Sequence, residues 1–332
     1  MPIIVQKFGG TSLADPASRE LLASIVERSL EAGESPVLVV SAMGRRGDAY
    51  ATDTLLDLLR QYPGGADGMT ADLMASCGEV IAACLVASLL SSRGMRAVPM
   101  TAASAGIGAS GAWGDAQPGR IASKKLMAVL DSGALPVVTG FQGLDREGRV
   151  LTLGRGGSDT TAVAIGAALG AKFVDIYKDV PGVAKADPRL IPGAPFMTFL
   201  DYDSMFRLAN HGARVLHDKS ALLAQKTGMR MRVRSTFEPG EGTLIGPLSD
   251  GLYPPDFIGL SSSPMDDGNT KLTAVFARGR GGPGVESSGA YAASAGSLAL
   301  RMDSRDSDAA SFACPAAAST GFARGLFAVL QG

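Results

Sequence analysis

Apolar residues fall in short blocks along most of this chain, separated by longer stretches of mixed character. Ile3 to Phe8, Pro36 to Ser41, Arg96 to Thr101, Leu135 to Thr139, Val150 to Leu153 and Phe173 to Tyr177 read as strands. Pro36 to Ser41 is apolar at nearly every position, the pattern of a strand buried on both faces of a parallel sheet. Between these blocks the spacing predicts helices near Pro16–Ala32, Thr52–Gln61, Gly68–Ser92, Arg120–Asp131 and Ala162–Ala171. Pro16 suits a first helical turn and Gly33 a helix end. Met43 to Ala51 is rich in glycine and charge and reads as an exposed loop. Strands alternating with helices predict a mostly parallel sheet covered on both faces.

The pattern changes near Pro247. Pro247 to Asp256 carries turn residues throughout and reads as a linker. Beyond it, Phe257–Leu260, Lys271–Ala277, Ser297–Met302 and Ala309–Ala313 are short strand candidates. Thr320–Leu330 reads as a helix and Gly284–Ala295 as a weaker one, together a small split βαβ-like module.

Composition narrows the options. A chain of 332 residues has room for one large or two medium domains. The formal net charge of -1 supplies no global field for nucleic acid or an acidic membrane. Three cysteines cannot form a disulfide framework, and Cys77 and Cys84 lie roughly 10 Å apart along a predicted helix, too far to bridge. Two histidines and no paired cysteines argue against a structural zinc site. No basic leader precedes Ile3, and no run reaches eighteen uninterrupted apolar residues, so the expectation is a cytoplasmic chain with no membrane partner.

Two glycine turns follow predicted strands. Gly154-Arg155-Gly156-Gly157-Ser158-Asp159 leads into a helix whose positive dipole end faces the turn, an arrangement that favours phosphate or carboxylate. Arg155 adds a planar cation, and Asp159 a hard oxygen where a magnesium–nucleotide could sit. Lys7-Phe8-Gly9-Gly10 is the second turn. Each alone fits an ordinary strand-to-helix connection. Ligands of such sheets bind beyond the carboxyl ends of strands, where Lys7, Ser41, Phe141 and Arg155 to Asp159 all fall. Neither turn matches the P-loop or the dinucleotide-binding fingerprint. Glu79 reads either as a site acid or as a solvated helix acid. Arg232 and Arg234 alternate along a strand, which a sheet face explains as well as a ligand, and His217 reads as a packed or surface histidine.

The set Lys7-Phe8-Gly9-Gly10-Thr11-Ser12, Val40-Ser41-Ala42-Met43, Gly78-Glu79, Thr139-Gly140-Phe141-Gln142-Gly143 and Gly154 to Thr161 resembles aspartokinases in order and spacing. Asp179-Val180-Pro181-Gly182, Ala186-Asp187-Pro188-Arg189 and Arg232 to Thr236 extend the likeness over about residues 3–246. The resemblance implies an amino-acid-kinase-like three-layer α/β sandwich over 1–246, a linker over 247–256 and a single degenerate ACT-like α+β module over 257–332. It also implies transfer of the γ-phosphoryl of ATP, with Mg2+, to the side-chain carboxylate of L-aspartate, in a homodimer serving amino-acid (lysine, threonine, methionine) biosynthesis or a secondary pathway.

Carried over, Lys7, Asp159 and Arg155 would be catalytic, with Asp159 meeting metal through Mg-ATP. Ser41, Thr52, Glu79, Phe141, Arg155 and Ser158 would bind aspartate, Arg155 its α-carboxylate and Glu79 its ammonium. Lys7, Gly9, Gly10, Lys178, Asp179, Pro181, Gly182, Asp187, Arg189 and Arg214 would face the nucleotide. Departures cluster on that nucleotide side: Lys178 and Lys185 where relatives carry threonine, Ala184 where many are aromatic, and Leu216-His217-Asp218-Lys219 in place of His-Pro-Arg. The two lysines are read as extra charge for phosphates. The alternatives are a kinase of another amino acid or carboxylate on this fold, or an inactive homologue with a binding or regulatory role. A single ACT-like module implies weak or absent feedback by lysine or threonine.

Overall fold

Strands covered on both faces must be apolar at both parities, and the apolar runs of the N-terminal half meet that demand in the computed structural model, which describes residues 1–213, 215–249, 252–294 and 308–331. Packing groups the chain into two units, 1–181 with 226–242 and 182–225 with the remainder from 243. The segment 1–246 thus draws on both.

In the first unit, six parallel strands run in the order Met231–Ser235, Phe173–Lys178, Ile3–Phe8, Ser35–Val40, Leu135–Thr139 and Ala97–Met100. Ile3–Phe8 sits inside, with Lys7 opposite Val39 on one neighbour and Ile176 on the other. One face carries Phe8 stacked on Tyr177, ring centroids 4.8 Å apart. The Pro16–Glu31 and Gly68–Ser92 helices cover this face with Leu22, Val26, Val86 and Leu90, all fully buried. Each such side chain contributes about 1.5–3 kcal/mol by leaving water. Asp15 and Asp67 cap these helices, accepting from the Ser18 and Thr70 N–H groups. The opposite face, bearing Lys7, meets the Gly157–Leu169 helix. Three layers result.

A smaller sheet joins Gln117–Ile121, Ile107–Ser110, Gln142–Leu144 and Val150–Thr152. Its Gln117–Ile121 strand takes the expected start of the 120–131 helix, which begins at Ser123. Gly108 and Gly119 face each other there, and a Cβ on Gly119 would lie 3.2 Å from the Gly108 carbonyl carbon. The backbones therefore pair closely as antiparallel strands.

The Gly68–Ser92 helix is long and apolar enough to cross a bilayer. Here it is a core helix with ten buried residues, Asp72 and Glu79 among them.

In the second unit, Phe199–Asp201 and Thr243–Gly246 pair in parallel. Phe257–Pro264, Asn269–Phe276 and Ala309–Pro315 form an antiparallel sheet. The Gly282–Ser294 and Ala316–Gln331 helices pack on it around Leu272, Phe276, Phe312, Phe322 and Leu326. The expected strand at Ser297–Met302 lies outside the described residues. Helices at Tyr202–Asn210 and Asp218–Thr227 were not legible beforehand.

Candidate functional site

Lys7 is the penultimate residue of its strand, and alternation aims it away from the Phe8–Tyr177 face. Its Nζ lies 2.7 Å from Asp159 Oδ1, and Lys178 Nζ reaches Oδ2 of the same carboxylate at 3.3 Å. Lys178 ends the adjacent strand at the same parity, which is why both amines arrive from one direction. The Lys7 and Asp159 side chains are only 6% and 5% exposed. Burial raises the Asp159 pKa, but the charges of Lys178 and Lys7 outweigh it and bring the group to about 2. Burial also pulls the Lys7 ammonium below its usual value, against the attraction of Asp159. The site thus gathers two lysine amines on one buried carboxylate.

The Gly157–Leu169 helix starts from Gly156 in the left-handed conformation (φ 70°), with no side-chain cap on its first amides. An uncapped helix start beside two lysines is built for an anion. The turn is fixed from behind. A Cβ on Gly140 would lie 2.7 Å from Ser158 Cβ, and one on Gly157 would lie 2.7 Å from the Phe141 ring. Phe141 itself holds φ 71°, a conformation that costs on the order of 1–3 kcal/mol in a non-glycine residue. It is pinned by donating its N–H to Thr161 Oγ1 (3.1 Å) and accepting from Leu153 N–H (2.8 Å). Such strain held by specific bonds marks a place where side-chain position matters.

Glu79 approaches from the long helix. Gly78 permits this, since a Cβ there would lie 2.6 Å from Ala42 Cβ. Glu79 Oε1 accepts the Ala42 N–H at 2.9 Å, whereas the buried Oε2 has no hydrogen-bond partner among the described residues. Burial drives the Glu79 pKa up to about 8, with the Ala42 N–H and the charge of Lys7 pulling the other way. Gly10 plays a similar spacing role, because a Cβ would lie 2.6 Å from Gly44 O where the two loops cross. Gly9 donates its N–H to Tyr177 O. Ser41 follows the Ser35–Val40 strand and donates its N–H to Phe8 O at 3.2 Å. Thr52 begins the Thr52–Leu59 helix, half-buried, and Ser158 is buried in the first turn beside Asp159. Arg155 is exposed just before that turn and has no ion-pair partner among the described residues.

The nucleotide-side expectations divide. Lys7, Gly9, Gly10, Lys178, Asp179 and Pro181 belong to the first unit, and Gly182, Asp187 and Arg189 to the second. Asp179 is exposed and accepts from Arg45 at 2.9 Å. Gly182 abuts Thr243, which also accepts the Val183 N–H. Arg189 is exposed and forks onto Asp187. Lys185 lies over the Phe257 ring. Arg214 lies outside the described residues. Arg232 and Arg234 turn to the buried Asp175 at 2.6 and 3.4 Å, the sheet-face explanation. His217 is half-buried against Asp218.

Thr139 belongs to a run that carries the resemblance, but sequence reasoning assigned it no role of its own. It ends an apolar strand at the same carboxyl edge, with a buried hydroxyl that has no partner among the described residues.

Comparison with known proteins gives one consistent result. The amino acid kinase family model matches residues 2–235. Aspartokinase 1 of Bacillus subtilis is 40% identical over 245 residues, 74% of this chain and 61% of that protein. An aspartokinase of Bacillus sp. (strain MGA3) is 42% identical over 248 residues, 74% and 58% respectively. The chain thus spans about six-tenths of the length of these curated relatives. Among solved structures, E. coli aspartokinase III in complex with aspartate and ADP superposes with a TM-score of 0.83 at 21% identity, over 99% of this chain and all of that one. Aspartate kinase from Synechocystis gives 0.66 at 25%, over 98% of this chain and 68% of that one. The fold is that of these enzymes, and with the family model covering the greater part of its length, the chain belongs to the amino acid kinase family.

Proposed function

We propose that the protein is a cytoplasmic aspartate kinase that transfers the γ-phosphoryl of ATP to the side-chain carboxylate of L-aspartate. One observation carries the reading: two lysine amines converge on a buried aspartate at the uncapped start of a helix. That geometry neutralises a dense anion. The relatives named aspartokinase and the aspartate and ADP of the E. coli complex support the choice of substrates.

In this reading a carboxylate oxygen of aspartate attacks the γ-phosphorus, the bond to the bridging oxygen breaks, and ADP leaves with that electron pair. The acceptor is ionised at neutral pH, so no general base is needed. The work lies in positioning and charge neutralisation. Lys7 offsets charge developing on the transferred group, where a preorganised donor is worth about 3–4 kcal/mol. Asp159 holds Lys7 and Lys178 in place. Arg155 forks onto the α-carboxylate, and the free Glu79 oxygen receives the α-ammonium, with Ser41, Thr52, Phe141 and Ser158 around it. Lys178, Gly9, Gly10, Asp179, Pro181, Gly182, Asp187, Arg189 and Arg214 serve the nucleotide.

The described residues contain no group of three or more His, Cys, Asp or Glu placed for a metal. They fit a magnesium carried by the nucleotide phosphates, which needs only one or two protein carboxylates, Asp159 being the one at hand. The ion would neutralise phosphate charge. Residues 257–332 are assigned as one ACT-like module after the 247–256 linker, giving weak or absent feedback. Strong inhibition by lysine or threonine would contradict that assignment.

ADP release measured over a panel of amino acids, with hydroxylamine trapping, tests the proposal. Aspartate-dependent hydroxamate is expected, because an acyl phosphate reacts with hydroxylamine. ADP without hydroxamate would mean a different acceptor, and no ADP with any amino acid would mean an inactive homologue.

A further inference from the structure

Arg45 and Arg46 stand together in the glycine-rich segment between Ser41 and Thr52, and their side chains take different partners. Arg46 turns to the Thr52–Leu59 helix, pairing with Asp53 at 3.5 Å and Asp57 at 3.1 Å. Arg45 reaches Asp179 instead, its Nη2 2.9 Å from Oδ2. The main chain beneath Arg45 is fixed. Gly44 donates its N–H to Gly10 O at 3.0 Å, which seats the segment on the first glycine turn. Gly44 holds φ 78°, and a Cβ there would run into the Asp48 side chain. The Arg45 N–H donates to Asp48 Oδ2 at 2.7 Å and the Asp48 N–H to Arg45 O at 2.9 Å, closing a tight turn. The head of this anchored side chain is open to water: the Arg45 and Asp179 side chains are 73% and 47% exposed. An ion pair that open is held weakly and exchanges partners readily.

We propose that Arg45 is a further catalytic residue, whose guanidinium leaves Asp179 for the γ-phosphoryl group when ATP binds. The inference rests on the nucleotide half of the reading above and not on the identity of the acceptor. Position carries it. The segment bearing Arg45 begins and ends at acceptor-side residues, Ser41 and Thr52, while its guanidinium lies on Asp179, a nucleotide-side residue directly after Lys178. A side chain anchored on one side and extended to the other spans the line along which the phosphoryl group passes. Lys7 and Lys178 already converge on Asp159 at the same carboxyl edge, so Arg45 brings a third cation there. Its chemistry suits the place. A guanidinium stays charged at any working pH and forks onto two phosphate oxygens, which a lysine amine cannot do. A triphosphate, with several negative charges, outcompetes one exposed carboxylate for it.

The test is calorimetry on the full chain without aspartate, using magnesium with ADP and magnesium with the imido analogue of ATP, whose γ-phosphoryl group is not transferred. Arg45→Ala should weaken binding of the analogue about 10–100-fold, the worth of a hydrogen bond to a charged group, and binding of ADP less than about threefold. Arg45→Lys keeps the charge, loses the fork and should fall between; it carries the same test if the alanine variant is unstable. Equal losses for both nucleotides would mean that Arg45 acts only by holding Asp179, and unchanged affinity for the analogue would mean that it never leaves. Either result overturns the proposal, as does a native chain that binds neither nucleotide. The expected split in a chain that forms no hydroxamate with aspartate would uphold it and sink the acceptor assignment alone.

Discussion

Two regions of the Gly68–Ser92 helix bury a carboxylate seven residues apart, and their surroundings differ in one respect. Asp72 is saturated: it accepts from Gly114 N–H, Thr152 N–H and the Thr152 hydroxyl at 2.7–3.1 Å, tying the helix to the small sheet. Glu79 accepts one backbone N–H, and its other oxygen is buried without a partner among the described residues. Asp308 in the second unit resembles Asp72, accepting from Gly279 and Gly281 N–H groups and from Arg207. Buried polar groups in folded proteins are nearly all satisfied, and the unpartnered Glu79 oxygen, on a carboxylate that also feels the charge of Lys7, is where a ligand's donor fits. Counting donors thus separates Asp72 from Glu79 on one helix.

The largest expected effect is at Lys7. Lys7→Met should lower kcat about 10²–10³-fold with a much smaller change in the aspartate KM, as expected for a cation acting chiefly on the transferring group. Next come the two helix carboxylates, which should respond oppositely. Glu79→Gln should raise the aspartate KM on the order of 10–100-fold, the worth of a hydrogen bond to a charged group, without loss of stability. Asp72→Ala should cost about 3 kcal/mol in denaturant titration by stranding its donors, with KM unchanged. If both substitutions moved the same observable, the distinction would fail.

The pH dependence sharpens the contrast. Because burial raises the Glu79 pKa from 4.5 to about 8, the folded protein retains a proton that the unfolded chain gives up in that window. Glu79 thus subtracts stability as pH rises from about 4.5 to 8, and Glu79→Gln should flatten that slope. In the same variant kcat/KM for aspartate should lose its rise toward pH 8. A smaller effect is expected at Lys178: Lys178→Thr should change the ATP KM several-fold and leave the aspartate KM nearly unchanged, and the reverse pattern would contradict the nucleotide-side assignment. The smallest belongs to the exposed Arg45–Asp179 pair, where Arg45→Ala should change stability by less than about 0.5 kcal/mol.

Much of the first unit was legible because its strands are apolar at both parities. Ile3–Phe8 and Leu135–Thr139 fall where their composition puts them, and Gly68–Ser92 spans the expected helix. The short strands at Ile107–Ser110 and Gln142–Leu144 were not legible. They contain glycine, and their pairing is set by neighbours distant in sequence, which no local period reports. Within the site, Lys7 and Asp159 stood out through glycine turns, yet their direct contact depends on strand parity and helix placement. Thr139 stood in a quoted run, but the burial of its hydroxyl follows from packing that no local pattern reports. The environment of Glu79 was the least readable, since its donor is a backbone N–H thirty-seven residues away.

The most direct measurement is the proton balance of aspartate binding, by calorimetry at pH 7 in buffers of different ionisation enthalpy. With Glu79 near 8 and its free oxygen taking the substrate ammonium, binding should release about one proton, and Glu79→Gln should release none. Binding without proton release, or with equal release in the variant, would contradict the account.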